Sequence, residues 1–186
     1  MKEEIIMAGF GGQGIMLMGK LLAYAGMKEG YEVSWLPSYG PEMRGGTANC
    51  TVILSSDKIP SPMVFKADSI LIMNQPSLLK FKTHSKPNGT IYINSSLADL
   101  PIDLDTNIIS VPATEIANKL GNSKVANMVM LGAYLADRCN LKEDTILKSL
   151  EYMLAGKGKD IIDLNRKAFK KGMSLVDKDE KVCINF

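Results

Sequence analysis

The chain has 186 residues, 46% of them apolar, enough to bury one sizeable core without requiring a second domain. Its 22 basic and 20 acidic side chains leave a formal charge of only +2, without the basic footprint of a nucleic-acid binder. Cysteines 50, 139 and 183 and the single histidine, His84, are too few and too scattered for a zinc site or an iron–sulfur cluster built by this chain alone.

Met1-Lys2-Glu3-Glu4 is followed by only four apolar residues, too short a run for a signal peptide, and no run reaches transmembrane length. A cytoplasmic protein with reduced thiols and no membrane contact is expected. Ile5 to Ala8 suits a short strand covered on both faces. Gly9-Phe10-Gly11-Gly12-Gln13-Gly14 then leads into a helical pattern from Ile15 to Met27, with Gly19 allowing close approach of a neighbour. The spacing of Gly9, Gly11 and Gly14 satisfies the G-x-G-x-x-G of dinucleotide-binding loops. The next strand, Tyr31 to Leu36, ends in Trp35-Leu36-Pro37-Ser38, without the acid that would take the ribose hydroxyls. Half of the fingerprint is therefore missing.

Pro37 to Gly46 is too rich in proline and glycine for a helix or a ladder, yet it carries Tyr39, Glu42, Met43 and Arg44. That is either contact chemistry on a constrained backbone or an exposed connection whose charges face water. Thr47 to Leu54 alternates as a strand, and no helix separates it from the strand before, so the sheet should be mixed. Ser69 to Met73 is a buried strand, followed by a helix through Lys82 with Pro76 in its first turn. His84 sits in a polar stretch and reads as a solvated surface residue. Asn88-Gly89 should turn the chain into strand Thr90 to Asn94, and Asn107 to Val111 is the last strand.

A helix from Pro112-Ala113-Thr114 through Leu120 stops at Gly121-Asn122. With Ser123 as its cap, the next helix is apolar nearly all round and must be buried in the core or against a partner; Asn127 and Asp137 and its length argue against a membrane span. Helices near Lys142 to Leu154 and Asp160 to Val176 follow, joined by the linker Ala155-Gly156-Lys157-Gly158-Lys159. The basic run Arg166, Lys167, Lys170 and Lys171 reads as a solvated face, and 177–186 as a flexible tail. The whole predicts a single α/β domain over 1–176, a three-layer αβα sandwich with a mixed, mostly parallel sheet and a Rossmann-like start. The sequence contains no nucleophile elbow, no triad partner for His84 and no acidic cluster for a metal. No catalytic or metal-binding residue is assigned to this chain, so chemistry would use groups from elsewhere.

The glycine loop with Gly19 and Leu22, and Ser38-Tyr39-Gly40-Pro41-Glu42-Met43-Arg44-Gly45-Gly46, together resemble the gamma subunit of the 2-oxoacid:ferredoxin oxidoreductases. The likeness continues through Thr47-Ala48-Asn49-Cys50, Ala67-Asp68 and Asn127-Met128-Val129-Met130-Leu131-Gly132-Ala133, in the same order over residues 3 to 176. The resemblance implies one subunit, inactive alone, of a complex of anaerobic metabolism that decarboxylates a 2-oxoacid, with 2-oxoglutarate the first candidate. Acyl-coenzyme A, CO2 and reduced ferredoxin would be the products. Thiamine diphosphate, Mg2+ and the iron–sulfur clusters would be held by alpha and beta subunits, and by a delta ferredoxin-like chain where present. No cofactor would be held by this chain alone.

In that frame Gly11, Gly12, Gln13 and Gly14 either assist the phosphates of coenzyme A or serve backbone packing. Tyr39, Pro41, Glu42, Arg44, Gly45, Gly46 and Asn127 would border the active-site cleft at the subunit surface, with Arg44 as a carboxylate or anion partner. Two other readings stay open: a stand-alone NAD- or FAD-binding dehydrogenase, and a purely structural scaffold subunit. The isolated chain could form a homodimer through its partner-facing surface.

Overall fold

The computed structural model describes residues 1–38, 47–101, 106–138 and 140–176. Tyr39, Pro41, Glu42, Arg44, Gly45 and Gly46, with Cys139, Cys183 and the 177–186 tail, lie outside the described residues. The elements are β1 (Lys2–Phe10), α1 (Ile15–Lys28), β2 (Glu32–Ser38), β3 (Thr47–Ser55), β4 (Ala67–Ile72), α2 (Gln75–Phe81), β5 (Ser85–Asn94), β6 (Asn107–Val111), α3 (Ala113–Lys119), α4 (Ala126–Arg138), α5 (Glu143–Leu154) and α6 (Lys159–Met173). The six strands form one sheet in the order β2-β3-β1-β4-β5-β6. β3 runs antiparallel to β1 and β2, while β1, β4, β5 and β6 are mutually parallel.

The mixed, mostly parallel sheet is as expected, but its start keeps Rossmann character only in the strand, glycine turn and helix. β2 and β3 pair antiparallel, and β3 takes the place beside β1 that β2 would hold in a Rossmann fold.

Alternation along β1 sends Ile5 and Met7 to one face and Ile6 and Ala8 to the other, all of them buried. The first face carries α1, α3, α4, α5 and α6 over a core that includes Val52, Leu71 and Tyr92. The second is covered by α2, whose Leu78 and Phe81 rest on a layer of Ile70, Ile72, Ile91 and Ile93. The two helical layers of the sandwich are thus very unequal.

All of α4 from Ala126 to Asp137 is buried, as its all-round apolar pattern requires. It is enclosed by α6 at backbone contact. A Cβ at Gly172 would stand 1.9 Å from the Val129 carbonyl oxygen, and one at Gly132 would stand 2.1 Å from that of Phe169. At the far end of α4, the Arg138 guanidinium donates to both carboxylate oxygens of Glu3 at 3.0 and 2.9 Å, and Ser69 adds a bond of 2.7 Å. Tyr92 donates to Asp137 nearby; burial and then that carboxylate push the phenol far up, so it stays protonated.

Four local expectations change. Asn88-Gly89 lies inside β5, not in a turn before it: the β4 pairing shifts register there, and a Cβ at Gly89 would come within 3.0 Å of the Ala67 carbonyl oxygen. The cap before α4 is Asn122, whose Oδ1 accepts from the Lys124 amide, because Ser123 to Val125 form a 3-10 turn first. His84 closes a 3-10 turn, half-buried with its ring 5.5 Å from that of Phe81, so it is only partly solvated. On α6, Arg166 pairs with Glu151 and Lys170 approaches Glu143 of α5 at 3.9 Å, so part of the basic face is matched by acids.

Two outcomes are expected. Gly172→Ala should destabilise the fold by roughly 2–3 kcal/mol, since neither helix backbone can give way, whereas Gly156→Ala, with nothing within 4 Å, should be neutral or slightly stabilising by urea unfolding. The second concerns Glu4, held between Lys2 and Lys86 at 2.8 Å each. Burial alone would raise its pKa, but hydrogen bonds and charge from the two lysines outweigh that and hold it below the usual 4.5. The unfolded chain then takes up the proton first, so this stabilisation is present above pH 4.5 and is lost as the pH falls through the folded value. Glu4→Gln should flatten the acid limb of a urea-midpoint profile.

Candidate functional site

The glycine loop leaves the carboxyl end of β1 and enters α1. Gly12 and Gly14 have φ of 92° and 74°, the left-handed region that side chains disfavour. Gly14 stands at the cap of α1, where its carbonyl accepts from Met18 N at 3.0 Å and from Asn127 Nδ2 at 3.2 Å. A Cβ there would stand 2.3 Å from Asn127 Nδ2, so backbone angle and packing both demand glycine. Gly11 and Gly12 are exposed and open above.

Gln13 turns back under this loop. Its Oε1 accepts from Phe10 N at 2.7 Å and Asn74 Nδ2 at 3.0 Å, and its Nε2 donates to the Met73 carbonyl oxygen at 3.2 Å. The same carbonyl accepts from Asn94 Nδ2 at 3.2 Å, and that Nδ2 also donates to Thr114 Oγ1 at 2.9 Å. Asn94 Oδ1 in turn accepts from Thr114 N. Asn74 Oδ1 caps α2 through Ser77 N at 2.9 Å. A belt of carboxamides therefore ties the carboxyl ends of β1, β4 and β5 to the start of α3.

Above the belt lies a cleft of about 250 Å³ lined by Gly12, Gln13, Met73, Leu97, Thr114, Ser123, Lys124 and Ala126. These residues follow β1, β4, β5 and β6 and lead into α4, so all four parallel strands deliver chain to it. It also lies where the connections change face, with α1 on the first side of the sheet and α2 on the second, the usual place for ligands in open α/β sheets. Among the described residues its lining has no carboxylate, imidazole or thiol, and one charge, the ammonium of Lys124. Binding of an anionic group is the chemistry this set offers; proton transfer and nucleophilic attack are not. Cys50 is buried under α1, and burial, only partly offset by the neighbouring indole N–H of Trp35, pushes its thiol up to about 12. Among the described residues no three His, Cys, Asp or Glu side chains converge as a metal site.

Of the residues singled out in the sequence, Gly12 and Gln13 line the cleft and Gly11 and Gly14 flank it. The carboxamide of Gln13 is engaged internally, so it shapes the loop. Asn127 is 2% exposed and supports Gly14 from below; its side chain does not reach a subunit surface. Ser38, the first residue of the second motif, and Thr47, which follows it, lie at this same edge, and Thr47 pairs with Phe10. Asn74, Asn94, Thr114 and Lys124 were not singled out. A signal for two of them existed, because Ile70-Leu71-Ile72-Met73 and Ile91-Tyr92-Ile93 are both apolar runs closed by asparagine.

A family model described as pyruvate ferredoxin/flavodoxin oxidoreductase matches residues 4–175. The chain belongs to this family. Within it, the chain is 39% identical over 170 residues to the ketoisovalerate oxidoreductase subunit VorA of Methanothermobacter marburgensis, covering 91% of this chain and 35% of that protein. It therefore spans about a third of the length of that relative. The keto/oxoacid ferredoxin oxidoreductase gamma subunit of Geobacter sulfurreducens superimposes with a TM-score of 0.80 at 30% identity, covering 93% of this chain and 97% of that one. A 2-oxoglutarate:ferredoxin oxidoreductase of Magnetococcus marinus, solved with 2-oxoglutarate, coenzyme A and succinyl-CoA bound, gives 0.84 at 28% identity over 94% of this chain and 31% of that one. The chain is thus a gamma-type domain of the pyruvate ferredoxin/flavodoxin oxidoreductase family. Among the described residues, no helix is long and apolar enough to cross a membrane.

In this gamma-type domain Gln13→Glu keeps the acceptor for Phe10 N but sets a carboxylate oxygen against the Met73 carbonyl. A stability loss of about 1–3 kcal/mol by chemical denaturation, with faster amide exchange at Phe10, is expected.

Proposed function

We propose that this chain is the gamma subunit of a 2-oxoacid:ferredoxin oxidoreductase of the cytoplasm. The complex would decarboxylate a 2-oxoacid oxidatively, passing an electron pair to ferredoxin and the acyl group to coenzyme A. The supporting observation is spatial. The glycine loop and the ends flanking the Tyr39 to Gly46 segment meet at one sheet edge, through the pairing of Phe10 with Thr47.

The partners proposed are alpha and beta subunits, with a delta ferredoxin-like chain where one exists. They would hold thiamine diphosphate, Mg2+ and the iron–sulfur clusters, which supply the decarboxylation and electron transfer. The described residues of this chain do not fit those groups: Cys50 is buried and kept protonated, and the cleft offers no carboxylate to a cation. They do fit the anionic part of coenzyme A. Gly11 and Gly12 bring open backbone to the cleft ahead of the amino end of a 14-residue helix. Tyr39, Pro41, Glu42, Arg44, Gly45 and Gly46 are proposed to border the active site against the partner subunits, with Arg44 pairing a carboxylate or phosphate. Asn127 would act there only through Gly14.

2-Oxoglutarate is the first substrate to try, in line with the Magnetococcus marinus protein. Ketoisovalerate is the second reading, favoured by the VorA relative at 39% identity. A dinucleotide dehydrogenase is disfavoured by geometry: β3 separates β1 from β2, so the end of β2 does not adjoin the glycine loop as ribose recognition requires.

Tagged protein drawn from its native extract should bring down thiamine-diphosphate and iron–sulfur subunits. The recovered complex should reduce a viologen dye in a coenzyme A-dependent way with one of the two 2-oxoacids. Arg44→Ala should impair assembly or raise the KM for coenzyme A or the 2-oxoacid; unchanged values for all three would remove that assignment. Recovery of the chain alone, with a melting temperature raised by NAD or FAD, would replace the proposal with a dehydrogenase.

A further inference from the structure

α1 carries apolar side chains on its outward side as well as beneath it. Leu17, Lys20, Tyr24, Met27 and Lys28 recur at spacings of three and four and form that outward stripe, opposite the buried Ile15, Met18, Leu22 and Ala25. Tyr24 stacks flat on Tyr152 of α5, with ring centroids 5.3 Å apart and planes 3° from parallel, and Lys28 Nζ stands 5.2 Å from the Tyr24 centroid. Tyr152 is nevertheless 69% exposed and Met27 63%. Tyrosine and methionine gathered on an open helical surface are the residues that the centres of protein interfaces favour. The charges around them are one-sided. Every acid of α5 has a cation, Glu143 with Lys170 at 3.9 Å, Asp144 with Lys148 at 2.7 Å and Glu151 with Arg166, and Glu29 after α1 accepts from Lys142 N at 2.8 Å. Lys20 and Lys28 form no ion pair among the described residues.

We infer that this patch docks an acidic face of a partner subunit, whose carboxylates meet Lys20 and Lys28 while an apolar side chain covers Tyr152 and Met27. The inference rests on the reading of this chain as one subunit of a complex and adds to it a binding surface. None of these residues lines the cleft at the sheet edge, so the surface is separate from it. Stacking on Tyr24 holds the Tyr152 ring in one orientation before anything binds, which lowers the entropy lost on docking. A second copy of this chain is a poor occupant. A two-fold axis through the patch would bring its unpaired lysines against their own counterparts, whereas an acidic face matches them.

The test rebuilds the complex from this chain and tagged partner subunits and reads the dissociation constant of the chain at low and high salt. Tyr152→Ala should weaken binding about tenfold at both, the scale of one aromatic interface anchor, and Tyr152→Phe should bind nearly as wild type. Lys20→Glu combined with Lys28→Glu should weaken it by a similar factor at low salt and much less at high salt, while Lys20→Arg with Lys28→Arg should restore it. Unchanged dissociation constants in variants that melt like wild type would overturn the inference and leave the functional proposal standing. So would unchanged binding with a raised KM for ferredoxin, which would give the surface to the electron acceptor. A dimer of this chain that Tyr152→Ala dissolves, with binding to the partner subunits unchanged, would give it to a second copy and overturn the inference as well. A wild-type chain that joins no thiamine-diphosphate or iron–sulfur subunit would overturn both.

Discussion

β1 has an antiparallel neighbour on one side, a parallel neighbour on the other, and both faces buried. Most of the fold is a consequence of that position. With its backbone groups shared between two ladders and its side chains divided between two cores, β1 can shift register only by exchanging Ile5 and Met7 for Ile6 and Ala8 across the sheet. The glycine loop is therefore delivered to a fixed place at the carboxyl edge, between the end of β4 and the start of β3. The connections also change face there, and a crevice opens at that edge.

The two ends of the sheet are stabilised by different chemistry. At the amino end, Glu3, Ser69 and Arg138 form a charged cluster in which each carboxylate oxygen has a donor. Tying β1 to α4 in this way fixes the depth at which the fully buried helix sits. At the carboxyl end the groups are neutral: Gln13, Asn74, Asn94 and Thr114 satisfy one another and the carbonyl of Met73. Neutral amides hold the loops without adding charge to the cleft, and among the described lining residues Lys124 alone carries one. A site meant to receive an anion gains from that arrangement, since a carboxylate in the belt would oppose the ligand.

α4 links the two ends. Its first turn supports Gly14 through Asn127, its middle touches α6 through Gly132 and Gly172, and its last residue grips Glu3. Such a helix cannot slide along the sheet without breaking a packed glycine contact and a bidentate ion pair together. The geometry of the glycine loop thus depends on packing that begins about a hundred residues later in the chain.

Local signals in the sequence determined the order of strands and helices, the glycine turn between β1 and α1, the burial of α4 and the reversal of β3. Apolar periodicity, Pro76 and the glycines act over a few residues and are readable there. The two motifs that carry the family resemblance were also legible as residues. Tertiary structure alone decided that β3 enters between β1 and β2, because strand order depends on which edge closes the better core and not on either strand's own pattern. It also decided that Gln13 turns inward, that Asn127 lies under Gly14, and that Lys124, from a turn before α4, stands beside Gly12 across the cleft. Those partners are separated by 60 to more than 100 positions, and hydrogen bonds between polar side chains leave no periodic trace in a sequence.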